Sequence, residues 1–113
     1  MKLNLYTAER EKISEGVFRV WLVDEKVGSR NFFIRAFEIE PGFSTEKDSH
    51  NYEHGIFILE GNGVAYIERD EILISKYDSF FIPPNFEHMI KNNGSEILRF
   101  ICVVPSSYRE VRK

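Results

Sequence analysis

Short runs of β-branched and aromatic residues, separated by turn-forming residues, constrain the fold of this chain more than any other feature of its sequence. Eight strands are predicted, at Val17–Val23, Asn31–Glu40, Gly55–Leu59, Gly63–Glu68, Glu71–Ser75, Ser79–Ile82, His88–Lys91 and Ile97–Val104. Short strands at such close and regular spacing predict an all-β protein, either a sandwich or a small barrel.

The turn-forming residues between these runs give local predictions. Gly61-Asn62-Gly63 and Asn93-Gly94 predict two tight hairpins, because such pairs adopt the backbone angles that hairpin turns need. Pro83-Pro84-Asn85 predicts a stiff entry to the next strand, with asparagine tolerating a left-handed conformation. Only Thr7 to Lys12 is expected to form a helical turn.

Length and composition predict one folded domain that spans residues 1–113. No apolar run approaches the roughly 18 residues that a membrane span needs, and the first residues lack the apolar stretch of a secretory signal. A cytoplasmic protein without membrane contact is therefore expected. The net charge of −3 gives no reason to expect nucleic acid as a partner. The single cysteine, Cys102, excludes an internal disulfide and is expected to be buried in the last strand.

The three histidines of the chain, His50, His54 and His88, all lie near turn-forming residues and point to one metal-binding pocket. Neutral imidazole suits zinc, iron, nickel, copper and manganese ions. An unbroken strand would hold His50 and His54 about 13 Å apart, whereas metal–nitrogen distances are about 2.0–2.1 Å. The chain is therefore expected to turn at Asn51-Tyr52-Glu53 and to return His54 on a neighbouring strand.

Two stretches of the chain combine the histidines with turn-forming residues at defined spacings. The first reads Gly42, five residues, Asp48, one residue, His50, three residues, His54, six residues and Gly61; the second reads Pro83, one residue, Asn85, two residues, His88, three residues and Asn92. In their spacing they resemble the two motifs of the cupin superfamily. Asp48 stands where cupins usually have histidine, and His54 where they usually have glutamate. Tyr77 and Asn85 stand where glycine is common, and Tyr77 is expected to have a different backbone angle from that glycine.

The resemblance implies a double-stranded β-helix, the jelly-roll barrel of cupins, with a metal near one open end. It makes Asp48, His50, His54 and His88 the candidate ligands of one divalent transition metal ion, which is manganese, iron, nickel or zinc. Asp48 has three open roles: it coordinates the ion, orients His50 or a water molecule, or acts as a catalytic general base.

Two other interpretations of the histidines are open. The segment from His50 to His54 also spells the H-x-x-E-H string of inverted zinc peptidases, but that chemistry needs a helix, and Gly55 followed by an apolar run favours a strand. Alternatively, the histidines are surface or core residues of a metal-free barrel. Glu53 and Glu60 are expected to be solvated turn residues.

Arg35 interrupts an apolar row on one face of its predicted strand. If that row faces the barrel interior, the guanidinium can hold a substrate carboxylate near the metal; otherwise Arg35 is a surface residue of the outer face. Phe37, Tyr66 and Cys102 are further candidates for the lining of the substrate site.

The resemblance implies a metal-dependent enzyme that acts on a small polar metabolite, and a dioxygenase-like reaction is favoured over isomerase or decarboxylase chemistry. The alternative is a non-catalytic barrel that senses or stores a small molecule or a metal. A homodimer is also predicted, because apolar residues at Leu3, Leu5, Tyr6 and Val17–Leu22 can add a strand to the sheet edge of a partner.

Overall fold

A computed structural model describes residues 2–107 as an almost wholly β structure. Its strands are β1 (Glu11–Ser14), β2 (Val17–Val23), β3 (Phe32–Ile39), β4 (His54–Glu60), β5 (Asn62–Ile67), β6 (Asp70–Ser75), β7 (Ser79–Ile82), β8 (His88–Lys91) and β9 (Leu98–Pro105). The eight predicted strands correspond to β2–β9. The helical turn expected in the first dozen residues forms at Asn4–Ala8, where the N–H groups of Thr7 and Ala8 donate to the Asn4 carbonyl at 3.1 and 2.8 Å. It does not extend to Lys12, because Glu11 and Lys12 pair with β2. A single 3-10 turn at Glu25–Val27 joins β2 to β3 within the described residues.

The strands form two antiparallel sheets. The larger sheet has the order β1-β2-β3-β9-β4-β7, and the smaller has the order β6-β5-β8. One core cluster draws on both sheets, with Ile39, Ile58 and Leu98 from the larger and Ala65 and Ile90 from the smaller. The fold is therefore the all-β jelly-roll barrel, the double-stranded β-helix, that the motifs imply.

Neither predicted hairpin forms. Gly61 to Gly63 carries the chain from β4 in the larger sheet to β5 in the smaller one, and Asn93-Gly94 returns it from β8 to β9. Gly61 and Gly63 are needed instead because neighbouring backbone comes too close for a side chain. A Cβ at Gly61 would lie 2.5 Å from the backbone oxygen of Ile97, and Gly61 has a φ of 87°.

Three described residues other than glycine have left-handed backbone, namely Glu68, Tyr77 and Asn85. Asn85 has a φ of 68°, as its turn chemistry predicts. Tyr77 has a φ of 75°, so the predicted change of angle is wrong. Tyrosine here keeps the glycine-like conformation, and its exposed ring stacks on Phe57 at 6.3 Å.

An ion-pair network attaches the amino-terminal segment to the outer face of the larger sheet. Glu38 accepts hydrogen bonds from Arg10 at 2.8 and 2.9 Å and from Arg99 at 2.7 Å. Burial opposes the charge, but these hydrogen bonds outweigh it and hold the pKa of Glu38 below its usual value. Arg99 also contacts Glu60 at 2.5 Å and lies over the ring of Tyr6. The side chain of Glu60 is thus partly exposed, as predicted, but it also pairs with Arg99.

The proposed route to a dimer through Val17–Leu22 is not available, because these residues lie in β2, between β1 and β3. The edges of the larger sheet are β1 and β7. The homodimer itself stays a prediction. None of the helical segments in residues 2–107 has the length and apolar character to cross a bilayer.

Candidate metal centre

A cavity of about 380 Å³ lies inside the barrel. Its volume is within the range of small-molecule sites. Charged and imidazole side chains line it together with an apolar set that includes Val17, Phe37, Ile56, Ile82, Ile90 and Phe100. All three histidines of the chain are among the lining residues.

The two sheets bring the histidines together. His54 is the first residue of β4 in the larger sheet, and His88 is the first residue of β8 in the smaller one. The segment that carries His50 crosses between them. It pairs with β8 at Asp48, whose N–H donates to the His88 carbonyl at 3.1 Å and whose carbonyl accepts from the His88 N–H at 2.8 Å. The chain then bends at Asn51 and Tyr52, as predicted, and enters β4.

Ligand nitrogens of His50, His54 and His88 all lie within 4.8 Å of one another. The ring centroids are 5.1–5.3 Å apart. Three imidazoles from separate segments therefore converge in the cavity and are not surface residues, while core histidines of a metal-free barrel stay the alternative. Since His54 begins a strand, the helical peptidase interpretation is also excluded.

His54 carries the strongest physical sign of a site that fits a metal ion. The residue is buried, its Nδ1 lies 3.3 Å from Cys102 Sγ, and its Nε2 is buried with no hydrogen-bond partner among the described residues. A buried polar atom without a partner costs about 1–3 kcal/mol. Burial first, and then the charges of Arg35, His88 and His50, lower the pKa of His54 to about 3. The ring is thus neutral at physiological pH, which is the form that coordinates metal.

The other two imidazoles are held by contacts that orient them. His88 Nδ1 donates to the carbonyl of Phe86 at 3.0 Å, so its Nε2 carries the lone pair. Such a hydrogen bond is the usual support of a metal-binding histidine. His50 stacks on Tyr52 with ring centroids 4.8 Å apart and an interplanar angle of 5°. The donor set of three imidazole nitrogens fits a divalent first-row transition metal.

Asp48 lies at the mouth of the cavity and not in the cluster. Its carboxylate is largely exposed, accepts from the Ser49 N–H at 2.8 Å and lies 3.8 Å from His50 Nε2. Within residues 2–107, the group of ligand atoms within 4.8 Å of one another consists of the three histidines. This position suits a proton-transfer or water-orienting role better than direct coordination. Glu53 is exposed, as predicted.

Three of the four predicted substrate-site residues line the cavity. Arg35 is only 5% exposed, so its strand face points inward and the surface interpretation is wrong. Its Nη2 lies 3.6 Å from Cys102 Sγ. Cys102 is buried, as predicted, and burial raises the pKa of its thiol. Phe37 lines the cavity and stacks on Phe100 at 5.4 Å.

Tyr66 is the exception among the predicted substrate residues. It alternates along β5 with Ala65 and Ile67, which belong to the core, and therefore faces the opposite side of the sheet. It is not among the described residues that line the cavity.

Sequence reasoning missed Arg19 and Tyr52, which both line the cavity. The signal for Arg19 was available, since it lies between Val17 and Trp21 on the alternating pattern of β2, just as Arg35 does on β3. Tyr52 gave no such signal, because it lies in an irregular bend.

Comparisons with known proteins agree with this architecture. A family profile described as a cupin domain matches residues 35–104. The chain is 34% identical over 71 residues to the 1-methylthio-D-xylulose 5-phosphate methylsulfurylase of Rhodospirillum rubrum, covering 63% of this chain and 46% of that protein. It is 30% identical over 102 residues to the mannose-1-phosphate guanylyltransferase RfbM of Salmonella typhimurium, covering 86% of this chain and 21% of that protein. The chain thus spans less than half the length of these two relatives.

A solved structure shares the fold at lower sequence identity. The polyketide cyclase RemF from Streptomyces resistomycificus superimposes with a TM-score of 0.87 at 22% identity, covering 94% of this chain and 79% of that one.

Proposed function

We propose, from the premise that this chain belongs to the cupin family, that it is a metal-dependent enzyme acting on a small polar metabolite. Among the reactions of that class we favour a dioxygenase-like one, with isomerase or decarboxylase chemistry as the other choices. One observation carries the proposal: the buried Nε2 of His54 has no partner among the described residues and faces two further imidazoles in a cavity. A relative named as a 1-methylthio-D-xylulose 5-phosphate methylsulfurylase supports catalysis on this scaffold.

His50, His54 and His88 would hold the ion, and Asp48, which lies outside that cluster at the cavity mouth, would act on water or protons beside it. When bound, a divalent ion supplies Lewis acidity, and iron or manganese also supplies the redox chemistry that oxygen-using reactions need. Three protein ligands leave coordination positions for water and substrate, as catalytic sites require.

The remaining candidates act around those ligands. Asp48 takes the role of a general base, because its exposed Oδ2 can carry a proton between the cavity mouth and solvent. Phe37 and Phe100 form an apolar wall that excludes water from the bound metabolite. Cys102 contacts Nδ1 of His54 and so helps to fix the ring that faces the ion.

Metal content tests this proposal. Protein purified without an affinity tag should contain a stoichiometric transition metal that a chelator removes. Replacing His88 by alanine should abolish stoichiometric binding, because one of three nitrogen ligands is lost. Asp48→Asn should weaken binding less, and Glu53→Gln, a matched change at an exposed carboxylate outside the cluster, should leave it unchanged.

Absence of any stoichiometric transition metal from the purified chain would defeat the proposal, as would unchanged metal content in the His88 variant. Metal binding without turnover of any small-molecule substrate would instead favour a non-catalytic barrel that stores or senses its ligand. We also propose a homodimer, which light scattering at micromolar concentration tests; a monomer would refute it.

A further inference from the structure

Two guanidinium groups and two aromatic rings alternate on the inner faces of β2 and β3. Arg19 pairs across the strands with Phe37, and Trp21 pairs with Arg35. The guanidinium carbon of Arg19 lies 4.9 Å from the centre of the Trp21 ring; that of Arg35 lies 5.9 Å from Trp21 and 5.1 Å from Phe37. Contacts of this kind hold a guanidinium against a ring face.

Charge is distributed unevenly along the cavity. Arg19 and Arg35 are 9% and 5% exposed, and both line it. The carboxylates that line it, Glu46 and Asp48, are exposed. Glu11 contacts Arg19 at 3.3 Å, so the charge of Arg19 is partly balanced by a carboxylate. Because arginine stays charged even when buried, the buried charges of the cavity lining are positive, whereas its carboxylates are exposed.

Arg35 lies close to the imidazole cluster. Arg35 Nη2 and His54 Nδ1 contact the same sulfur atom, that of Cys102, at 3.6 and 3.3 Å. A molecule of modest size can therefore contact the guanidinium at one end and the imidazole cluster at the other. Phe37, Phe100 and Ile56 supply apolar surface for its body.

We propose that the cavity binds a small organic oxyanion, a carboxylate or a phosphate ester, whose charged group is held by Arg35 with Arg19 beside it. This inference rests on the proposed function in treating that anion as the substrate, but the binding of the anion is a separate property. The planar guanidinium provides two parallel N–H donors that match an oxyanion, and a low-dielectric surrounding strengthens the pair.

The chain carries its own reporter for this site. Trp21 is the only tryptophan, and its ring lies against both guanidiniums. Its fluorescence should therefore change when an anion binds, whether or not a metal is present. Benzoate, phenyl phosphate and the neutral isostere benzamide serve as probes with the same ring, titrated into chelator-treated protein and into metal-loaded protein.

At least one of the two anions should bind at least about tenfold more tightly than benzamide, since a charge-assisted hydrogen bond is worth more than a neutral one. Arg35→Met should weaken anion binding about 10- to 100-fold and leave benzamide unaffected. Arg69→Met, the same change at an exposed arginine outside the cavity, is the matched control and should change nothing. Arg35→Lys keeps the charge but loses the planar fork, and should bind with intermediate affinity.

Equal binding of the three probes by the wild-type chain would overturn the inference without relying on any variant. So would an Arg69→Met effect as large as that of Arg35→Met. The preferred anion identifies the charged group as carboxylate or phosphate. Arg35-dependent anion binding in a chain that holds no metal would remove the proposed metalloenzyme and leave this site standing. Stoichiometric metal in a chain that does not discriminate between benzoate, phenyl phosphate and benzamide would remove the anion site and leave the proposed metalloenzyme standing.

Discussion

Asn92 offers the sharpest test of how this barrel is held together. Its side chain is fully buried where the chain leaves β8, and it makes three hydrogen bonds. Nδ2 donates to the carbonyls of Ile39 at 2.8 Å and Glu96 at 2.7 Å, and Oδ1 accepts from the Gly94 N–H at 2.9 Å. The residue therefore ties the end of β3 to the loop that crosses from the smaller sheet to the larger one.

Asn92→Ala removes all three hydrogen bonds. At about 1 kcal/mol net for each, the free energy of unfolding should fall by about 3 kcal/mol, and the melting temperature by about 10–15 °C for a chain of this size. The buried carbonyl of Ile39 also loses a donor, which makes this figure a lower bound. Urea unfolding of chelator-treated protein measures the effect without a contribution from bound metal.

Asn93→Ala is the matched control, because the neighbouring asparagine is exposed. It should change stability by less than about 0.5 kcal/mol. Asn92→Asp adds a pH signature, since an ionised carboxylate would face two carbonyl oxygens. The pKa of the introduced carboxyl should be raised, so its destabilisation should be largest at neutral pH and should shrink as pH falls towards 4. An Asn92→Ala effect no larger than that of Asn93→Ala would refute this reasoning.

Three further predictions concern the pKa shifts and the backbone. The pKa of His54 is near 3, so between about pH 6.5 and 3 the unfolded chain binds a proton that the folded chain excludes. The free energy of unfolding of the metal-free protein, measured by urea denaturation, should therefore decrease as the pH is lowered from about 6.5 to 3. In a His54→Gln variant it should decrease less steeply. Hydrogen bonds from Arg10 and Arg99 depress the pKa of Glu38, so its contribution to the stability of the fold should be present above about pH 4.5 and be lost as the pH falls below it. A Glu38→Gln variant that unfolds at the same acidic pH as wild type would contradict this. Tyr77→Gly should be more stable than Tyr77→Ala by about 1 kcal/mol in thermal unfolding, because both lose the ring but only alanine keeps an unfavourable φ; equal stability would be inconsistent with that account.

The sequence was informative where a property depends on local alternation or on matched spacing. Alternating residues along β3 indicated a row with Arg35 in it, and the structure turns that row inward. The spacing of His50 and His54 required a turn between them, and the bend at Asn51 provides it. Both inferences need only strand geometry, which the composition of these segments made clear.

The sequence did not predict features that depend on which distant strands pair with each other. Gly61 to Gly63 has the local chemistry of a hairpin turn, yet the strands on either side join different sheets, so the turn signal could not reveal their partners. The exposure of Asp48 depends in the same way on its pairing with His88, a residue distant in sequence. Tyr77 keeps a glycine-like angle because the surrounding turn imposes it.

The strand order of the larger sheet has a kinetic consequence. β9 lies between β3 and β4 and pairs with both, so these two strands have no common neighbour until β9 has been synthesised. A nascent chain that has emerged only as far as β8 must leave backbone N–H and C=O groups unpaired along one edge of β3 and one edge of β4. Topologies dominated by such distant pairings fold slowly, in milliseconds to seconds. Docking of β9 is thus the event that closes the barrel, and the β3–β9–β4 seam is where arrested chains would be prone to aggregate.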